Sequence, residues 1–310
     1  RLELLGRYPE LVSMRPFYLP IYRKSPRPVW RLWTGIKLYD ALAGRHNIYR
    51  SRKVSRKRFT REFPALKREG IRAVLRYYDG KTNDLALTKR VAEDAQELGC
   101  VFCEGVGVQH IAWDETGFAV SVGETKYRSH ILINATGPWI DEVSERYQLP
   151  SRFQIRKVSG IHIFVDGLLT PHPLFLQTES KRVFFVIPEP ERDQTMIGTT
   201  EREERGRVDD VAIHEEDLDY IIRQVNSYLV SDCQLRRTDI TDAIVGVRPL
   251  VEKKGDATAL SREYELDLHT RGQTQFLNIF GGKLTTYLSL SRRVAKTLGI
   301  KEIASMALRA

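Results

Sequence analysis

Two glycines, a lysine and a run of hydroxyl side chains join an apolar segment to a helical pattern in Gln275-Phe276-Leu277-Asn278-Ile279-Phe280-Gly281-Gly282-Lys283-Leu284-Thr285-Thr286-Tyr287. Such a joint suits an electron-rich group. Gly281 and Gly282 let the backbone approach a ligand and adopt positive φ, and the helix start beyond them offers unpaired N–H donors and a positive dipole end. Lys283 adds a full charge. Two other apolar runs carry chemistry where they end, Ile133-Asn134-Ala135-Thr136-Gly137-Pro138-Trp139 and Gly246-Val247-Arg248-Pro249-Leu250. In open α/β sheets ligands gather outside the carboxyl ends of strands, so three such tips predict one shared cleft. For any one of them, a turn that only connects elements is the plainer reading.

The elements that would position these tips follow from periodicity. Asn83 or Asp84 can cap a helix whose Leu87, Val91, Ala95 and Leu98 share a face before Gly99 ends it. A strand over Cys100 to Cys103 is expected next, then strands over Val106 to Ala112, Gly117 to Val122 and Lys126 to Ile133. Beyond Trp139 the pattern predicts antiparallel sheet at Gly160 to Val165, Leu174 to Gln177, Arg182 to Ile187 and Thr195 to Thr199. Leu218, Ile221, Ile222, Val225 and Leu229 fall at helical spacing. A strand over Asp242 to Val247 delivers Arg248, and Glu263 to Leu268 with Gln275 to Phe280 reads as a final hairpin. The opening third, punctuated by Pro16, Pro20, Pro26 and Pro28, predicts little regular sheet.

With 310 residues and 42% hydrophobic content the chain can build a substantial core and two domains. No apolar run reaches the length of a spanning helix, and no secretory pattern opens the chain. The net charge of +9 is concentrated between Arg45 and Arg68. That segment reads as a solvated face or as a contact for an anionic membrane surface. Val29-Trp30-Arg31-Leu32-Trp33-Thr34-Gly35-Ile36-Lys37-Leu38-Tyr39 reads as an interfacial helix or as a core helix with exposed cations. Cys100 and Cys103 have the spacing of a redox pair or half a zinc site, but no second pair follows. They are expected to be reduced structural cysteines, with no metal site.

Five ordered motifs closely resemble the FAD-dependent glycerol-3-phosphate dehydrogenases. These are Ile133 to Trp139, Arg182-Val183-Phe184-Phe185-Val186-Ile187-Pro188, Ile197-Gly198-Thr199-Thr200, Gly246 to Leu250 and Phe280 to Tyr287. Leu38-Tyr39-Asp40-Ala41-Leu42-Ala43-Gly44 and Tyr77-Tyr78-Asp79 look like that family too, so the likeness covers nearly the whole chain. It implies an α/β fold with α+β character. The implied architecture is an incomplete FAD-binding domain of the glutathione-reductase-like, D-amino-acid-oxidase-like type with an inserted antiparallel-sheet substrate domain. The expected boundaries are 1–75 for a basic, aromatic segment of the cap, 76–140 for part of the FAD domain and 141–240 for the substrate domain. Residues 241–300 return to the FAD domain, and 301–310 form a tail. The resemblance implies that the family's G-x-G-x-x-G turn lies in a segment preceding Arg1 and that the likeness largely stops short of its helical carboxy-terminal extension.

The resemblance also implies roles. The reaction would be oxidation of sn-glycerol 3-phosphate to dihydroxyacetone phosphate, with hydride passing to FAD and electrons to a quinone. Arg248 and Lys283 are the candidate phosphate ligands, because arginine binds phosphate oxygens in pairs and lysine acts as a point charge. His162 is the candidate base in Ser159-Gly160-Ile161-His162-Ile163, where Ile161 stands for a family serine and Ser159 for a family lysine. Thr200 is a candidate for orienting substrate. FAD contacts carry over onto Val108, Ala135, Thr136 and Gly137, and onto Gly281, Gly282, Lys283, Leu284 and Thr285. Expected partners are glycerol 3-phosphate, a quinone and an anionic membrane surface, with nucleic acid disfavoured and a homodimer admitted. The expected location is cytoplasmic and peripherally membrane-associated. A glycerophosphate oxidase, another FAD-dependent amine or 2-hydroxy-acid oxidase, and an inactive fragment or basic binding module remain as alternatives.

Overall fold

The computed structural model describes residues 2–44, 48–252 and 264–300. In chain order the elements are α1 (Leu2–Arg7), β1 (Val12–Tyr22), α2 (Val29–Ala43), β2 (Arg52–Val54), α3 (Arg56–Glu62), β3 (Ile71–Thr82) and α4 (Asp84–Glu97). They continue with β4 (Val108–Trp113), β5 (Phe118–Val122), β6 (Thr125–Ser129), β7 (Ile131–Asn134), α5 (Ile140–Arg146), β8 (Gln154–Asp166), β9 (Leu174–Gln177), β10 (Val183–Glu189) and β11 (Gln194–Gly198). The last are β12 (Arg202–Glu204), α6 (Glu215–Asn226), β13 (Ile240–Glu252), β14 (Glu265–Arg271), β15 (Thr274–Phe280) and α7 (Tyr287–Thr297).

Two compact units share the chain. The first takes Arg1–Thr82, Ser159–Arg202 and Ala212–Gly246; the second takes Asn83–Val158, Glu203–Val211 and Val247–Ala310. The path changes unit after Thr82, Val158, Arg202, Val211 and Gly246, so β8 and β13 each begin in one unit and end in the other. The sequence-based boundaries at 75, 140 and 240 have their nearest changes of unit at Thr82, Val158 and Gly246.

The first unit is organised on a sheet in the order β12-β8-β11-β10-β9-β1-β3-β2, with β13 beside β8. One face carries the main core, in which Tyr18, Phe59, Phe63, Ile163, Leu176 and Phe184 are buried. Helix α6 packs on it through Leu218, Ile221, Ile222 and Val225, each burial stabilising by roughly 1.5–3 kcal/mol. Ser55 caps α3 by accepting from the Arg58 amide, which aims Phe59 and Phe63 into the same core. The opposite face buries Leu19, Ile21 and Leu75 beneath Val29, Leu32, Trp33 and Ile36 of α2. Asp40 anchors that helix by accepting from the amide and hydroxyl of Ser51 at 3.1 and 2.8 Å.

The opening residues depart from expectation, because β1 and β3 pair antiparallel from Val12 opposite Thr82 to Tyr22 opposite Ile71. The prolines fit for a positional reason. Tyr18 donates its amide to the Pro173 carbonyl on the β9 side, and amides two residues away on a strand point the same way. Pro16 and Pro20 therefore lack their N–H on the side where β1 meets β9 only at Tyr18 opposite Leu174.

The second unit combines a three-stranded sheet, β14-β15-β7, with a meander, β4-β5-β6. Strands β7 and β15 run parallel, and β14 closes the expected hairpin against β15. Asn83 caps α4 by accepting from the Ala86 amide. The expected single strand from Lys126 to Ile133 is two strands, since the chain leaves the meander at Ser129 and enters the other sheet at Ile131. Residues Cys100 to Cys103 form no strand. Gly99 and Gly105 take positive φ on either side, leaving too short an extended run to pair, and all three cysteines in the chain are free thiols. The sequence-based hairpin start at Glu263, the tail at 301–310 and the Arg45 end of the basic segment lie outside the described residues.

Asp267 on β14 is a buried carboxylate that the second unit holds with several donors. It accepts from the Arg152 amide at 2.8 Å and from Arg152 Nε at 2.5 Å, and His269 Nε2 lies 3.0 Å away. Burial favours the neutral acid, but these donors together outweigh it and hold the carboxyl below its ordinary value. A depressed folded pKa contributes stability above the ordinary carboxylate pKa, and that contribution is lost as pH falls through the folded value. Asp267→Asn is therefore expected to cost about 2 kcal/mol at neutral pH, the scale of a hydrogen bond to a charged group. Denaturant titrations should show the gap between variant and wild type closing as pH falls below the ordinary carboxylate range. A gap independent of pH would exclude the carboxylate as its source.

Candidate active site

The tips of β7 and β15 meet through a buried amide network. Asn134 and Asn278 stand opposite each other in the parallel ladder, and Asn134 Nδ2 donates to Asn278 Oδ1 at 3.0 Å. Asn278 Nδ2 donates onward to the Pro150 carbonyl at 2.9 Å, while Thr136 Oγ1 donates to Asn134 Oδ1 at 2.7 Å. Both asparagines are buried, so each satisfied bond avoids the cost of a stranded amide. The network pins the two turns that follow, Ala135 to Gly137 and Gly281 to Thr285, to the same carboxyl end of one sheet. Sequence reasoning passed over Asn134 and Asn278, because each reads alone as an ordinary polar residue in an apolar strand.

A cleft of about 740 Å³ opens beside β7, lined by Val108, Asn134, Thr136, Trp139 and Tyr147 among others. It brings Val108 and Thr136 together as expected. The Val108 carbonyl is already engaged by the Tyr147 hydroxyl. Ala135 and Thr136 are exposed, Gly137 has φ 59°, and a Cβ built there would meet nothing within 4 Å. The backbone is therefore open where a dinucleotide would pass.

After β15, Gly281 and Gly282 take φ of 69° and 100°, a left-handed path that favours glycine. The expected helix does not begin at once. A short 3-10 turn at Leu284–Thr286 precedes α7, and the Lys283 carbonyl accepts from the Thr286 amide at 2.9 Å. The Leu284 and Thr285 amides open this turn, where backbone donors have no acceptor within the helix. Lys283 and Thr285 are exposed. A glycine-lined backbone with open amides and a nearby cation fits the electron-rich edge of a flavin.

Arg248 differs from expectation in its local setting. It stands inside β13, which continues through Pro249 to Glu252, and it is half-buried. Of the three tips predicted to share a cleft, the structure sets the β7 and β15 turns side by side and gives Arg248 to the body of a strand.

In the first unit, His162 is half-buried on β8, opposite Gly198 of β11. Tyr77 shares an aromatic cluster with Phe17, Phe175 and Phe185; its ring stacks on Phe17 at 5.5 Å. Burial, reinforced by Asp79 and Tyr39, raises the Tyr77 phenol above its ordinary range, so it stays a neutral donor. Thr200, expected to orient substrate, is 4% exposed and its Oγ1 accepts from the Ile161 amide at 3.1 Å. Its shown contact is to the strand that carries His162.

The profile of the family described as DAO, FAD dependent oxidoreductase, matches residues 3–288. The chain is 33% identical over 299 residues to D-erythritol 1-phosphate dehydrogenase of Brucella abortus, covering 94% of this chain and 58% of that protein. It is 36% identical over 302 residues to glycerol-3-phosphate dehydrogenase of Pseudomonas aeruginosa, covering 93% of this chain and 56% of that one. It thus spans little more than half the length of these curated relatives. The crystal structure of glycerol-3-phosphate dehydrogenase from Bacillus halodurans complexed with FAD has the same fold. It superposes with a TM-score of 0.76 at 22% identity over 98% of this chain and 56% of that one. The expected mixed α/β flavoprotein fold thus agrees with both the architecture and these likenesses, and the chain belongs to the family of FAD-dependent oxidoreductases.

Proposed function

We propose that this chain supplies the substrate-oxidising part of a dehydrogenase acting on sn-glycerol 3-phosphate, with FAD as hydride acceptor and a quinone as the final acceptor. The observation that carries the reading is the likeness, across 93–94% of the chain, to dehydrogenases named for glycerol 3-phosphate and D-erythritol 1-phosphate. Both substrates pair a phosphate monoester with a secondary alcohol. FAD, when bound, supplies the two-electron acceptor for the hydride on the carbinol carbon. Val108, Ala135, Thr136 and Gly137 would hold it from the β7 side, and Gly281, Gly282, Lys283, Leu284 and Thr285 from the β15 side. Arg248 and Lys283 would neutralise the phosphate dianion, and His162 would take the hydroxyl proton.

A quinone acceptor implies access to a membrane, and α2 supports that part of the reading. Its inner face packs through Val29, Leu32, Trp33 and Ile36, while Trp30, Leu38 and Leu42 on one outward stripe are exposed. Arg31, Lys37 and Lys53 stand near this stripe in sequence or around Trp33. Apolar residues flanked by cations suit shallow insertion at an anionic surface. Among the described residues no helix is long and apolar enough to cross a membrane.

One experiment tests substrate, acceptor and surface together. In the intact FAD-loaded protein, anaerobic addition of sn-glycerol 3-phosphate should bleach the oxidised-flavin absorbance. A quinone carried in anionic vesicles should restore it faster than the same quinone in neutral vesicles, and Leu42→Glu should remove that difference. Failure of both phosphorylated polyols to bleach the flavin would overturn the dehydrogenase reading. Reoxidation by oxygen as fast as by quinone would make the protein an oxidase.

A further inference from the structure

A single row of residues crosses the sheet of the first unit. His162 on β8 faces Gly198 on β11, Gly198 faces Phe185 on β10, and Phe185 faces Phe175 on β9. Phe17 and Tyr77, paired across β1 and β3, adjoin it through ring contacts rather than register, since Tyr18 stands opposite Leu174. Ring contacts join Phe175 to Phe185 at 5.3 Å, Phe17 to Phe185 at 6.1 Å and Phe17 to Tyr77 at 5.5 Å. Gly198 is the member of this row without a side chain. Its φ lies outside the left-handed region, so no positive φ calls for glycine here. Space does. A Cβ at Gly198 would lie 2.4 Å from His162 Cδ2 and 2.8 Å from Cγ, with the Ile161 carbonyl oxygen also at 2.8 Å.

A second contact fixes the same strand. Beyond the end of β11, the buried Thr200 hydroxyl accepts from the Ile161 amide at 3.1 Å. The peptide units just before His162 are therefore held by Thr200, and the ring itself fills the volume that Gly198 leaves open. We infer that Gly198 and Thr200 are positioning residues that seat the imidazole of His162, an inference that rests on reading His162 as the group that takes the substrate proton.

The test is a set of variants of the intact FAD-loaded protein. Gly198→Ala should lower kcat about 10- to 100-fold while changing KM less than about threefold, because a small misplacement of a reacting group costs rate more than binding. It should also move the His162 ring signal in a proton–carbon correlation spectrum of histidine-labelled protein. In a His162→Ala background the same change should alter the residual rate by less than about twofold, since the ring it displaces is gone. An unmoved ring signal, or an equal rate loss in that background, overturns the proposal. Should Gly198→Ala not fold, Thr200→Val carries the comparison. It should lower kcat and move the ring signal, and Thr200→Ser should recover most of both. The two readings separate cleanly. If His162→Ala is fully active, the role of His162 as base fails, whereas a ring signal displaced by Gly198→Ala still upholds the seat.

Discussion

Arg248→Ala in the intact flavoprotein is expected to lower kcat/KM for sn-glycerol 3-phosphate about 10³-fold, a loss of about 4 kcal/mol. The magnitude follows from removing paired, charge-assisted hydrogen bonds from a phosphate dianion in a partly desolvated setting. Arg248 is half-buried inside β13, so its backbone is fixed by the strand and part of the desolvation of its side chain is already met. Arg248→Lys should recover only part of the loss, because an ammonium restores charge without the planar fork. The control that gives the experiment its force is glycerol, which lacks the phosphate. Its much slower oxidation should change only a few-fold in either variant. Equal losses for glycerol and its phosphate would mean that the substitution distorts β13, and the phosphate role would be lost.

His162→Gln is expected to slow substrate-dependent flavin bleaching about 10²- to 10⁴-fold with a small change in KM, the range for removal of a general base. Glutamine keeps a polar head and approximate volume, so the seat beside Gly198 stays filled. The wild-type rate should fall on the acid side, where a base that must accept the substrate proton is already protonated. In the variant that acid limb should vanish, leaving a low and flatter profile. A profile that keeps the limb after the histidine is gone would place the base on another residue.

How far this could be read from sequence depended on whether the determinants were local. The glycine turn after Phe280, the Asn83 cap of α4 and the buried stripe of α6 each follow from residues within about three turns of one another, and the structure places them as expected. The strand β1 did not, because prolines normally argue against a strand. Only the knowledge that Pro16 and Pro20 face the sparsely paired β9 side removes the objection. Arg248 looked like a strand tip for the same local reason, a following proline, although β13 continues past it. The asparagine bridge joins residues 144 positions apart, and nothing near either one announces the other. Gly198 shows the limit most plainly. In sequence it reads as one residue of the strand Thr195 to Thr199, and its relation to His162 exists only through the register of two strands.

The interleaving of the two units has a consequence during synthesis. The strand Ile131–Asn134 finds its parallel partner in Gln275–Asn278, so the sheet that carries both turns cannot form until Asn278 has left the ribosome. At about 5–20 residues per second, the 144 positions between Asn134 and Asn278 correspond to roughly 7–30 s during which the hydrogen-bonding edge of Ile131-Leu132-Ile133 has no β15 to meet. The first unit also waits, since its sheet needs residues from three separate stretches. The nascent chain thus displays an unpaired apolar strand edge for tens of seconds at most, long enough for a chaperone to bind it or for a neighbouring nascent chain to capture it.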